Sequence, residues 1–206
     1  LVIKNLYANY LVATKDYAKA IPLLDDLARV QPMRGFQAAL IARSMGNTAT
    51  ANRLANRTLG AVEKLLKEDP SNPTLALAVA QNQLFLEQHD DAVQTLNRAI
   101  ARAKKDEDKR NLSISMGDAI VAWISHLENS GAASTMDRVQ ILKMLQSALQ
   151  YAPNNPRVLT LVADQVLATM DEDSEEMSVL RRALVSGASP GIAHFIRGTA
   201  ALMKND

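Results

Sequence analysis

The apolar positions of this chain repeat at helix spacing. Within residues 16–32, Ala20, Leu24 and Leu27 fall at i, i+4 and i+7 and a proline follows at Pro32; Ile141, Leu145, Ala148 and Pro153 repeat the same spacing far downstream. Side chains placed this way share one helix face, and the proline marks where the helix stops. One such helix cannot bury its apolar face alone. A stripe that recurs every few tens of residues therefore predicts stacked antiparallel helical hairpins, an all-α solenoid.

The punctuation between stripes divides the chain into about five hairpins, over residues 1–32, 33–70, 71–107, 108–153 and 154–189, with a last helix over 190–206. In the first, Tyr7, Ala8 and Leu11 share a face, Thr14, Lys15 and Asp16 form a break, and Asp16 is expected to cap the second helix with its carboxylate. Pro22 is out of place there, since an interior proline removes a backbone bond, so the helix should start late or kink. The second hairpin sets Ala38, Ala39 and Ala42 against a long helix over 48–68. That helix carries the stripe twice, as Ala51, Ala55 and Thr58 and again as Thr58, Val62 and Leu65, offset by about two helical turns. It reads as a tolerated insertion.

The third hairpin pairs Ala76, Val79, Ala80 and Gln83 with Ala92, Leu96 and Ala99, and His89, Asp90 and Asp91 mark its turn. The mixed charges of residues 104–110 read as a solvated helix end or linker. In the fourth, a helix around 112–128 places Val121 and Ala122 in the close-packing slot, and a long loop over 129–135 follows. The fifth has Leu159, Val162, Ala163 and Val166, an acidic turn over 171–176, then Leu180 and Ala183. Gly198 and Ala201 lie on the last helix. The chain opens on Leu1 already inside a helical pattern and stops before that helix finds a partner, which reads as a piece cut from a longer protein.

Composition agrees. Apolar residues make up 48% of the 206 residues but aromatics only 4%, which suits helices held by small, closely packed faces better than sheets. With 23 basic and 22 acidic residues the formal charge is +1, so no general field draws nucleic acid or an anionic membrane. No cysteine is present, which removes disulfides and thiolate metal sites. No apolar run approaches the roughly 18 to 20 residues of a membrane helix.

Tyr7, Ala8, Leu11, Asp16, Tyr17, Ala20, Leu24 and Pro32, together with the boundary at 148–156, resemble the tetratricopeptide repeat, a helix-turn-helix unit of about 34 residues. The resemblance runs through nearly the whole chain. No hairpin carries the full consensus, two contain insertions, and no large aromatic opens the first helices. It implies a right-handed superhelix whose concave groove is lined by the first helix of each hairpin. Projected onto this chain, the groove would carry Asn5 and Asn9, then Phe36, Leu40 and Arg43, then Thr74, Leu77 and Gln81. Met116, Trp123 and His126 would follow, then Arg157, Thr160 and Asp164, and finally Phe195 and Thr199. Short amides there would bond a ligand backbone while aromatics supply desolvated anchors; equally, any one of these residues could pack on the neighbouring hairpin. Trp123, the single tryptophan, is either an anchor of this kind or a residue packed beneath the 129–135 loop.

The family's carboxylate clamp for chaperone tails is not expected. Asn9 occupies its asparagine position, but Lys4 is displaced by one residue, about 100° around the helix, and Thr74 and Ala78 stand where the later basic pair belongs. Catalysis has little footing: His89, His126 and His194 lack an i+4 partner, and no phosphate loop or nucleophile elbow occurs. The acidic run at 171–176 lacks the glycine and terminal glutamate of a calcium loop. No cofactor or metal is expected. Arg98, Arg102 and Lys105 share a helix face as an RNA-binding repeat would need, but Asp106, Glu107 and Asp108 interrupt them. The sequence points to a non-catalytic scaffold for a protein or peptide partner, the alternative being self-association through the end helices.

Overall fold

The structure, a computed structural model, describes residues 1–129, 138–153 and 155–168, with 178 and 181. Among these residues every regular element is a helix: α1 (Val2–Ala13), α2 (Tyr17–Leu27), α3 (Pro32–Ser44), α4 (Thr48–Glu68), α5 (Pro73–Phe85), α6 (His89–Arg102), α7 (Asp106–Asn129), α8 (Arg138–Tyr151) and α9 (Pro156–Ala168). The chain divides into two compact units, Leu1–Ala103 and Lys104–Asp206.

In the first unit each helix packs on the next in sequence, from α1 to α6. The three hairpins turn in the same way. Lys15, Gly46 and Glu87 each follow the last turn of a first helix with φ of 59°, 76° and 62°. The next residue then bonds back across the helix end: Asp16 to Leu11, Asn47 to Ala42 and Gln88 to Gln83, at 2.8–2.9 Å. This is the Schellman closure, which occupies carbonyls that the helix end leaves open. Only Gly46 adopts the left-handed conformation without a side-chain penalty. Prolines open α3, α5 and α9 as Pro32, Pro73 and Pro156, at the helix position that has no use for an N–H.

Small residues let these helices approach. Ala8, Ala20, Ala38, Ala39, Ala42, Ala51, Ala55 and Ala92 have no exposed surface, and Leu24, Leu27, Leu54 and Leu96 fill the spaces between them. Gly35 makes the tightest approach, since a Cβ there would strike Thr58 Oγ1 on α4. Side chains also bridge alternate helices. Asn9 on α1 joins Arg34 on α3, Asp25 on α2 meets Arg57 on α4 at 2.7 Å, and the rings of Phe36 on α3 and Phe85 on α5 lie 5.5 Å apart.

In the second unit α7, α8 and α9 pack mutually. Gly117 is the close-packing residue of α7, with the position of its missing Cβ only 2.6 Å from Ala152 Cβ and 3.3 Å from Val158 Cγ2. Asn155, ahead of α9, donates to Asp118 on α7 at 3.0 Å.

Several expectations change. Asp16 does not cap α2 with its side chain; its carboxylate accepts from Lys19 Nζ at 2.8 Å instead. Pro22 lies within a helix that starts at Tyr17, on the exposed side, where water can serve the freed carbonyl of Ala18. His89, Asp90 and Asp91 form the first turn of α6, not a turn between helices. The charged stretch at 104–110 is mostly the start of α7, with Asp106, Glu107 and Asp108 in its first turn, where acidic groups suit the helix dipole. The close slot of α7 belongs to Gly117 with buried Ala119 and Ile120, while Val121 and Ala122 are half-buried. Late in α4 the buried line runs through Leu59, Val62 and half-buried Leu66; Leu65 is exposed, because a heptad falls short of two full turns and the face drifts. Tyr7 is exposed and stacks on Tyr10 instead of joining the core. The expectations on the loop at 130–135, the acidic turn at 171–176, Leu180, Ala183 and the last helix fall outside the described residues, as does the side chain of Val166.

Candidate functional site

The first helices of the first unit, α1, α3 and α5, carry a connected set of polar and aromatic groups. Arg34 Nη1 donates to Asn9 Oδ1 at 3.0 Å and to Gln37 Oε1 at 2.9 Å, tying α1 to α3. Beside this node opens a hollow of about 450 Å³ lined by Gln31, Pro32, Met33, Arg34 and Gln37. One turn before Asn9, Asn5 donates to the Leu1 carbonyl at 3.2 Å, and its own amide oxygen is buried without a partner.

A second node ties α3 to α5. Phe36 meets Phe85 edge to face, at 5.5 Å and an interplanar angle of 76°. The Arg43 guanidinium lies 3.4 Å from the Phe85 ring centre, and its Nη2 donates to Asn52 Oδ1 at 3.0 Å. A cation over an aromatic face is attracted by the ring quadrupole, so the stack fixes Arg43 in place while leaving it half-exposed. Phe36 and Arg43 are thus joined through Phe85. Leu40, one turn from Phe36, keeps 48% of its surface exposed, and Thr74 and Gln81 are exposed on α5.

In the second unit Trp123 and His126 are half-buried on α7. Met116, expected to face a ligand, is 1% exposed and belongs to the core. Arg157, Thr160 and Asp164 are exposed on α9 and, with Val121, Pro156 and Leu161, line a hollow of about 320 Å³. Thr160 Oγ1 donates to the Pro156 carbonyl at 2.9 Å. Phe195 and Thr199 lie outside the described residues.

The sequence reading overlooked Arg34, Gln37 and Phe85. Phe85 could have been found, since it follows Gln81 by one helical turn; Arg34 could not, because its role depends on a helix preceding its own hairpin. Three groups with shifted titration, Asp16, Lys19 and Asp26, sit apart from these nodes, on α2 and at its N-cap. A hydrogen bond from Lys4 holds the Asp26 carboxyl below its ordinary value, and the Lys19 bond does the same for Asp16 while raising Lys19. Among the described residues no three His, Asp or Glu side chains gather where a metal could bind, and no helix is long and apolar enough to cross a membrane. No model of a known protein family matches the chain, and no curated protein does.

Proposed function

We propose that the chain is a non-catalytic scaffold of tetratricopeptide type, a superhelix that holds a segment of a protein or peptide partner against the face formed by its first helices. The observation that carries this reading is the continuity of that face. Asn9 joins Arg34 between α1 and α3, and Phe36 and Arg43 join Phe85 between α3 and α5. Groups held by such contacts lose little side-chain entropy when a ligand arrives. Leu40 offers an apolar contact and Gln81 an amide beside them. On α7 and α9 the same role falls to Trp123, His126, Arg157 and Asp164.

The test is selection of binding peptides from a random library on the immobilised chain, followed by affinity measurement with Leu40→Glu and Gln81→Glu. Both residues are exposed, so the fold should persist while at least one class of selected peptide loses binding. A library in which every class of selected peptide binds both variants as tightly as the parent would remove the reading. Trp123→Ala separates the two roles of that residue: weakened binding at unchanged melting temperature marks an anchor, and a large fall in melting temperature marks packing.

Self-association has one observation in its favour. Val2, Ile3, Leu6 and Tyr10 on α1 are 73%, 82%, 64% and 61% exposed, an apolar surface of the kind that marks interfaces. Light scattering over a concentration series decides it, since a monomer at every concentration excludes this reading.

A further inference from the structure

The α4 extension creates a cavity on another side of the first unit. Helix α4 has 21 residues where α6 has 14, and its extra turns form one wall of a space of about 680 Å³, with α5 as the floor and α6 as the opposite wall. Small-molecule and cofactor sites commonly measure about 300–1,000 Å³. The floor presents Ala76, Val79 and Gln83. Gln83 lies two residues, about 200° of helix rotation, from Gln81, so the cavity and the first-helix face use different sides of α5.

Charge in this cavity is ordered. Helices joined by short turns run antiparallel, so the C-terminal ends of α4 and α6 lie at the same end of the cavity. Lys67, Arg98 and Arg102 sit there, and Asp91, in the first turn of α6, lies at the other end. Glu63 lies one turn back from Lys67 on α4. Among the described residues none of these five side chains forms an ion pair. The contrast with the preceding pair of second helices is direct, since Asp25 on α2 reaches Arg57 and Arg53 on α4 at 2.7 and 3.8 Å. Where α2 and α4 close on each other through their own charges, α4 and α6 hold theirs apart. Gln83 adds a further vacancy: it is 6% exposed and its amide oxygen has no hydrogen-bond partner. Such an acceptor calls for an N–H donor.

We propose that this cavity binds an extended peptide segment carrying an acidic side chain at one end and a lysine or arginine at the other. The acidic group would meet Lys67, Arg98 and Arg102, the basic group would meet Asp91, and an N–H near the basic end would reach Gln83. From Asp91 to Arg102 the α6 axis rises about 16 Å at about 1.5 Å per residue, which an extended chain covers in about five residues at about 3.3 Å each. The site goes beyond the first-helix face and does not depend on it.

The experiment uses the whole chain and a displayed random-peptide library, with binders then measured on Lys67→Glu/Arg102→Glu, on Gln83→Leu and on Leu40→Glu. Lys67 and Arg102 are exposed, so their reversal should preserve the helical spectrum. Peptides with an acidic and a basic residue about four or five positions apart should be enriched, to match the ~16 Å span. Their affinity should fall at least about tenfold in the charge-reversed variant, as removal of a specific charge contact does, several-fold in Gln83→Leu, and not at all in Leu40→Glu. No enrichment of peptides carrying the charge pair, or their unchanged binding to Lys67→Glu/Arg102→Glu, overturns the proposal. Loss only in Leu40→Glu overturns it too, by placing the peptide on the first-helix face.

Discussion

Three glycines inside helices should respond to alanine in three different ways. Alanine in place of glycine within a helix gains about 0.8–1 kcal/mol of intrinsic propensity, and whatever meets the new methyl acts against that gain. At Gly60 in α4 nothing lies within 4 Å, so Gly60→Ala should stabilise by nearly the full amount. At Gly35 the methyl meets Thr58 Oγ1 and comes to 3.1 Å from Ala28 Cβ. Overpacking in a tight core costs about 1–3 kcal/mol, so Gly35→Ala should destabilise by about 1 kcal/mol net, or about 4–8 °C in a cooperative unit of this size. Removing the obstacle reverses the sign. In a Thr58→Ala background Gly35→Ala should stabilise, giving a coupling of about 1–3 kcal/mol in the double-mutant cycle. Gly117 should be the least tolerant, because Ala152 Cβ at 2.6 Å is fixed to backbone and cannot turn aside. Urea unfolding followed by circular dichroism measures all of these. A Gly35→Ala variant as stable as Gly60→Ala, or a cycle with no coupling, would falsify the close approach of α3 to α4.

Phe85→Ala should cost about 3–5 kcal/mol, the usual loss for a buried phenylalanine, and Arg43→Ala about 0.5–2 kcal/mol; in urea unfolding the two should couple, and additive losses would deny the stack. Asn82 has no exposed surface and its Oδ1 lacks a partner, while its Nδ2 bonds the Ala78 carbonyl at 2.8 Å. Since an orphaned buried acceptor costs about 1–3 kcal/mol, Asn82→Leu should leave the melting temperature unchanged or raise it, and a clear fall counts against the vacancy. Asp26 has a folded pKa below its ordinary 3.8 because Lys4 bonds it at 2.8 Å. Its contribution is therefore complete above 3.8 and is lost as pH falls through the lower folded value. Lys4→Met should return the Asp26 titration toward 3.8, and added salt should shrink the shift; an unmoved carboxyl resonance in the variant refutes the pairing.

What was legible in the sequence is what periodicity can encode. Ala20, Leu24 and Leu27 were expected on one face and are all buried, as are Ile141, Leu145 and Ala148, because burial on one face fixes residue type at helix spacing. The break at Lys15 was visible for a related reason, since chain reversal leaves polar residues between stripes. Glu87 was not visible: a glutamate at positive φ carries no composition signal, and the charged run after it drew the turn too far along. Of the candidate site, single residues were nominated, but their links were not. That Arg43 rests on Phe85 and Asn9 on Arg34 depends on which helices become neighbours across a hairpin boundary, and no spacing within one helix carries that information.

The long α4 joins the two levels. Its seven extra residues, 21 against the 14 of α6, are close to two whole turns, so an apolar face survives and the stack of hairpins continues through Leu59, Val62 and Val79. Phase is kept only approximately, about 20° being lost per heptad, and Leu66 replaces Leu65 on the inward side. The added turns also carry Glu63 and Lys67 past the point where the hairpin would otherwise have turned, and these face α6 across the cavity. An insertion that is neutral for the core is therefore not neutral for the surface. Core packing constrains such an insertion only through its length modulo the helical turn, while the side chains it adds along the outer wall are free to vary. That is the condition under which a repeat acquires a binding surface of its own without disturbing the hairpins that support it.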